Sequence, residues 1–171
     1  GGIMGGEDSG SSMSTTEIFL ESAYFDPVKT AITGRKLNIM SDSRYRFERG
    51  VDPEYVLEGL EYATSLIIEL CGGSAGEISV IDNRKFVNEK INFKPELVRE
   101  MTGLKIDNKI INKILNSLGF KVSKDWEITI PSWRPDISIN EDIVEEGVRI
   151  YGLNNIKSEP LLNKQQPSKP I

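Results

Sequence analysis

Apolar and polar positions change their period several times along the 171 residues, and each change marks a predicted element. Glycines and serines dominate "GGIMGGEDSGSS", which reads as a loop. The apolar run from Ile18 to Phe25, with Glu21 inside it, has the composition of a strand. Asp26-Pro27 is a helix start, an N-cap carboxylate followed by proline at the first helical position. That helix should run to about Leu37, with Asn38 as its left-handed end. "MSDSRYRFERG" follows as a loop or short extended piece. Asp52-Pro53 repeats the start signal, and Val56, Leu57, Leu60, Ala63, Leu66, Ile67 and Leu70 form one helical stripe that Gly72-Gly73 stops. "GEISVIDN" alternates as a strand does.

The pattern resets after "KFVNEK", residues 85–90, a connector. "INF" is a short strand, and Pro95 opens a helix that ends at Gly103. Asp107 caps a second helix, with Ile110, Ile111, Ile114, Leu115 and Leu118 apolar and Gly119 as its stop. "FKVS" and "WEITI", joined around Lys124-Asp125, read as a β-hairpin. "PSWRPD" is a rigid, proline-flanked turn; Asn140 caps a last helix, Glu141 to Tyr151, and Gly152 ends it. From Ser158 the composition is that of a linker. The expected fold class is α+β, in two small units at 1–84 and 85–155 with a linker at 156–171.

Composition narrows the functions this chain can serve. With 38% hydrophobic and 27% charged residues it suits a globular domain, and no apolar run approaches the roughly 20 residues of a membrane span. Its N-terminus lacks the basic-then-apolar layout of a signal peptide and opens without an initiator-like start, so a fragment of a longer chain is expected. Cys71 is the only cysteine, which rules out an internal disulfide and points to a reducing compartment. Histidine, the commonest general base and metal ligand, is absent. Residues 1–84 carry 7 Lys+Arg against 14 Asp+Glu, a charge of −7, whereas residues 85–171 carry 14 against 12, or +2. Bulk charge therefore argues against phosphate-backbone binding by the first half and gives the second only a mild basic character.

Three groups of residues carry candidate chemistry. Glu21 sits between Leu20 and Ala23 in an apolar run, where a carboxylate would accept a hydrogen bond from a ligand hydroxyl; a polar residue on an open strand face is the alternative. Lys105, Lys109, Lys113, Lys121 and Lys124 accompany Trp126 in the second unit, and Lys109 and Lys113 share a helix face. A solvated helix flank explains the same pattern. Asp142, Glu145 and Glu146 stand at i, i+3 and i+4 on the last helix, with Asp136 in the preceding turn. Helix-dipole capping accounts for Glu141 and Asp142 but fades before Glu145 and Glu146; magnesium, which takes one or two carboxylates plus water, is the other reading. The interleaved signs of "SRYRFERGVDP" favour mutual ion pairing over contact with a phosphate backbone.

Six stretches, "GIMGGEDSG", "FLESAYFDPVKT", "GRKLNIMSDSRYRFERGVDPE", "LCGGSAG", "LGFKV" and "IPSWRPDISINEDIVEEGVRIYGLNNI", resemble in their order the β subunit of bacterial phenylalanine–tRNA ligase (phenylalanyl-tRNA synthetase). The resemblance implies the C-terminal portion of a B3/B4 editing module over residues 1–84, α/β in class, then a winged-helix-like B5 module with its hairpin over 85–155. It further implies an editing pocket, which rewards the tyrosyl hydroxyl with an acceptor because synthetic-site discrimination against an added hydroxyl is weak. Gly5, Glu21, Ser41 and Ser43 match positions lining that pocket. Gly5 would let backbone approach a ligand. Ser41 stands where the family usually has threonine, Ser43 where it has alanine, and Gly147 where it has a larger apolar residue. The family's editing histidine falls ahead of Gly1, so this chain alone is expected not to hydrolyse Tyr-tRNA, and no catalytic residue is assigned to it.

Asp136, Asp142, Glu145 and Glu146 match the family's magnesium ligands at the contact with the α subunit, so magnesium binding by the chain alone should be weak or absent. Lys109, Lys113, Lys121 and Lys124 are the candidate nucleic-acid contacts. The implied partners are the α subunit, in an α2β2 heterotetramer, and tRNA(Phe), in the cytoplasm and away from membranes; ATP belongs to the complete enzyme and not to this segment. A stand-alone nucleic-acid-binding adaptor and a trans-editing hydrolase are the alternatives. The acidic first half argues against the adaptor, and the missing histidine and mid-motif opening argue against the hydrolase.

Overall fold

A computed structural model describes residues 1–83 and 88–158 of the chain. Most of the expected 156–171 linker and the 85–87 part of the connector lie outside the described residues. The structure divides into two compact units, Gly1–Glu89 with Ile130–Ser138, and Lys90–Thr129 with Ile139–Ile171. The "PSWRPD" turn, which the sequence assigns to the second unit, therefore groups with the first. Gly50 supplies a reason. Its φ is +89°, and a Cβ there would lie 3.1 Å from Cγ of Pro135, so the proline ring rests on bare backbone.

In the first unit, α1 (Pro27–Leu37) has the predicted ends: Asp26 Oδ1 accepts from the Lys29 N–H at 2.8 Å, and Asn38 closes the helix at φ 53°. Where the sequence suggested a loop, α2 (Asp42–Phe47) forms. Ser41 caps it, its Oγ accepting from the Arg44 N–H at 3.1 Å. The interleaved charges fall at helical spacing, and Arg44 pairs with Glu48 at 2.9 Å. The long helix α3 (Val56–Cys71) starts later than Asp52-Pro53, because the Asp52 carboxylate accepts from the Glu54 N–H at 2.9 Å in a turn of its own.

None of the α3 residues is buried, and Leu57 and Leu70 of the predicted stripe are 44% and 80% exposed. Neither 18–25 nor 76–83 forms a strand. A strand needs a neighbour's main-chain groups, and among the described residues the sheet lies wholly in the second unit. The 18–25 run is instead tied to α3 through Ser22 Oγ, which donates to the Val56 carbonyl at 2.8 Å.

The second unit runs β1 (Lys90–Asn92), α4 (Glu96–Thr102), α5 (Asn108–Ser117), β2 (Lys121–Val122), β3 (Glu127–Thr129) and α6 (Asn140–Tyr151). Its antiparallel sheet has the order β1-β3-β2, with Ile128 opposite both Ile91 and Val122. The predicted hairpin is β2–β3. Trp126 occupies its left-handed position at φ 63°, where glycine is usual; its ring stands 6.1 Å from that of Phe93, a contact glycine would forfeit. Phe120, Ile111, Leu115, Ile128, Ile143 and Val98 are the largest fully buried side chains. The α5 helix faces them with Ile111, Ile114 and Leu115. Asn140 is the first residue of α6 and not its cap; the helix start is secured by the Asp142 carboxylate, which accepts from the Ile139 N–H at 3.0 Å.

Gly147 lies buried in the middle of α6, yet nothing falls within 4 Å of a Cβ built on it. Gly147→Ala should therefore stabilise the second unit by about 1 kcal/mol through helix propensity alone. Urea unfolding monitored by circular dichroism measures this, and a loss of stability would show that the site is not open.

Candidate functional site

The N-terminal loop is anchored by Ile3, which is buried, and Ser41 Oγ donates to the Ile3 carbonyl while capping α2. Both roles of the Ser41 hydroxyl are thus internal to the protein. Gly2, at φ +72°, crosses the edge-to-face pair of Phe25 and Phe47 so closely that a Cβ would lie 2.8 Å from Phe25 Cδ2. Gly5, by contrast, is exposed with open space around it. Ser43 is half-buried in α2.

Glu21 is exposed and lines an open hollow of about 400 Å³ with Phe47, Val51, Asp52, Tyr55, Val56 and Gly59 among its walls. Apolar and aromatic walls with carboxylates at the margin suit a ring that carries a hydrogen-bond donor. Gly5, Ser41 and Ser43 are not among the lining residues. Asp52, read from the sequence as a helix start, joins Glu21 there, as do Phe47 and Tyr55, which were not singled out in the sequence. No local pattern marks them, because each comes from a different turn or helix end.

Three of the four acids are engaged locally. Asp136 takes a two-pronged bond from Arg134, at 2.9 Å from Nε and 2.7 Å from Nη2, and that hydrogen bond is the main reason its carboxyl titrates below the ordinary aspartate value. Asp142 caps α6. Glu146 is buried at 6% exposure and pairs with Arg149 at 2.6 Å. Glu145 is exposed. The donors are hard oxygens of the kind magnesium takes, but among the described residues no three His, Cys, Asp or Glu side chains are grouped to hold a metal ion. The pairing arginines were not named from the sequence, although spacing was a signal for them: Arg149 lies three residues beyond Glu146 on a helix, and Arg134 two residues before Asp136.

Lys109 and Lys113 project from the exposed side of α5, opposite Ile111, Ile114 and Leu115; Lys121, in β2, and Lys124, in the hairpin turn, are exposed too. Such a set can offer charge to a phosphate backbone. No helix among the described residues is long and apolar enough to cross a membrane.

Residues 1–72 match the family model of the B3/4 domain, and residues 91–153 match that of the tRNA synthetase B5 domain. The class is therefore a two-module segment of a tRNA synthetase. A phenylalanine–tRNA ligase β subunit from Paramagnetospirillum magneticum is 45% identical over 173 residues, covering 99% of this chain and 22% of that protein. Its counterparts from Novosphingobium aromaticivorans and Brucella abortus are 43% and 45% identical, covering 99% and 94% of this chain and 21% and 20% of theirs. The chain belongs to the phenylalanine–tRNA ligase β-subunit family and spans about a fifth of the length of the curated relatives it matches.

Proposed function

We propose that this chain serves within a cytoplasmic phenylalanine–tRNA ligase, which joins phenylalanine to tRNA(Phe) at the expense of ATP, as the β-subunit segment that links editing of mischarged tRNA to subunit assembly. The observation that carries this reading is the ordered pair of domains, matched along most of the chain at about 45% identity to β subunits. The first unit contributes the editing side. Glu21, at the rim of an aromatic hollow, is suited to accept the tyrosyl hydroxyl, with Gly5, Ser41 and Ser43 shaping the surrounding loop and helix. A hydrated carboxylate prefers a ligand that donates to it over a phenyl ring that cannot.

The remaining candidate residues contribute contacts. Lys109, Lys113, Lys121 and Lys124 would meet tRNA phosphates, an interaction weakened steeply by salt. Asp136, Asp142, Glu145 and Glu146 would hold magnesium together with the α subunit in an α2β2 assembly. Bound there, the ion would neutralise the carboxylates.

Glu21→Ala tests the editing role. In a ligase reconstituted from the complete β subunit bearing this sequence and its α partner, the substitution should slow deacylation of Tyr-tRNA about tenfold or more. Formation of Phe-tRNA should be unchanged. Unaltered deacylation would remove Glu21 from the pocket.

A further inference from the structure

Among the described residues none bonds the Glu21 carboxylate, and its segment, 18–25, forms no strand whose ladder would fix the backbone. Where that carboxylate sits therefore depends on how its main chain is seated. The Phe25 ring, four residues along, meets Phe47 edge to face with 4.9 Å between ring centroids. Ser22, the very next residue, is half-buried, and its hydroxyl donates to the Val56 carbonyl at 2.8 Å, across 34 positions of sequence. Helix α3 is shaped to take that hydroxyl. Val56 is its first residue, and Gly59, about one turn on, carries no side chain. A Cβ at Gly59 would lie 4.0 Å from Ser22 Oγ and 3.4 Å from the Tyr55 ring, so Ser22 comes in over bare helix backbone. A longer side chain at 59 would press on both.

We propose that Ser22 is a positioning residue of the hollow: its bond to Val56 holds Glu21 at the rim, where the acceptor meets a ring hydroxyl. Ser22, Val56, Gly59 and Tyr55 line the same hollow as Glu21, so this joint is part of its wall. Neighbouring Cα atoms are only about 3.8 Å apart, and pinning residue 22 fixes the point from which the Glu21 side chain starts. Without the hydroxyl the segment has more conformations open to it, and the acceptor spends less of its time at the rim. A tyrosyl group then loses part of its hydrogen bond, whereas a phenyl group has none to lose. The inference rests on the reading of Glu21 as the acceptor of the tyrosyl hydroxyl.

In a ligase reconstituted from the complete β subunit bearing this sequence and its α partner, the rate of Tyr-tRNA deacylation divided by that of Phe-tRNA reads the placement of the acceptor. Ser22→Ala should lower this ratio about threefold to tenfold, the effect of one neutral hydrogen bond. Ser22→Thr, which keeps the hydroxyl, should retain the native ratio. Added to Glu21→Ala, Ser22→Ala should lower the ratio no further, since no acceptor is left to misplace. An unchanged ratio in Ser22→Ala, including an equal slowing of both deacylations, would mark the contact as merely structural and overturn the positioning role. So would an equal fall in Ser22→Thr, or a full additional fall in the double variant; in each case a lowered ratio in Glu21→Ala alone leaves Glu21 as the acceptor. A native ratio in Glu21→Ala would remove the acceptor itself, and the positioning role with it.

Discussion

Phe120→Ala is expected to remove about 3–5 kcal/mol from the second unit, enough to leave it largely unfolded. The side chain is 1% exposed and is one of the six largest fully buried groups of the molecule. It stands where α5 gives way to β2, and its own N–H bonds back to the Leu115 carbonyl at 3.1 Å. Backbone and ring thus fix the same corner. A unit of this size draws only about 3–5 kcal/mol of net stability from a single core, so a cavity at this corner consumes most of it. Urea unfolding followed by Trp126 fluorescence, in a Trp133→Phe background, measures the loss. A change below about 1 kcal/mol would mean that the corner collapses onto the vacated space.

Gly34→Ala should destabilise the first unit by about 2 kcal/mol, even though alanine is the better helix former by about 1 kcal/mol. Gly34 is buried on the side of α1 that meets Arg44, and an added Cβ would overlap the Arg44 side chain at Nε, Cδ and Cζ. Arg44 is the far end of a flexible side chain, but it is held: Nη1 donates to the Ile39 carbonyl at 2.6 Å and Nε to Glu48 at 2.9 Å, with the residue 8% exposed. Moving it breaks charged hydrogen bonds in a desolvated place, each of which is worth about 1.5–3 kcal/mol. Thermal unfolding of the variant, compared with Gly34→Ala combined with Arg44→Ala, distinguishes this cause. The double variant should recover part of the single variant's loss by removing the clash, and additive losses would contradict the argument.

What the sequence disclosed and what it hid follow from the range of the forces involved. Helix ends at Asp26-Pro27, Asn38, Asp107 and Gly103 were readable because a cap and its partner lie within a few residues of each other. The β2–β3 hairpin was readable for the same reason. The α2 helix was missed because a dense run of alternating charges in a short segment resembles a loop until the four-residue spacing of Arg44 and Glu48 is taken as the deciding signal. Strands at 18–25 and 76–83 were predicted from composition and from alternation, neither of which can say whether a partner is present. In the candidate sites, Glu21 was visible as a charge in an apolar run. The walls it shares with Phe47 and Tyr55 were not, since they depend on α2 and the entry to α3 converging. The acids of α6 were legible by spacing, while the burial that separates Glu146 from Glu145 depends on how α6 packs on α4 and α5.

The chain passes from the first unit to the second at Glu89–Lys90, returns for Ile130–Ser138, and leaves again. During synthesis the ribosome therefore delivers residues 1–89 well before Pro135 exists to cover Gly50. The first unit completes its surface only after all three strands of the second have been made. The order of translation and the order of assembly consequently differ, and a nascent chain halted near residue 125 would expose Gly50 and its neighbours to chaperones while its second unit, lacking β3 and α6, had not yet formed.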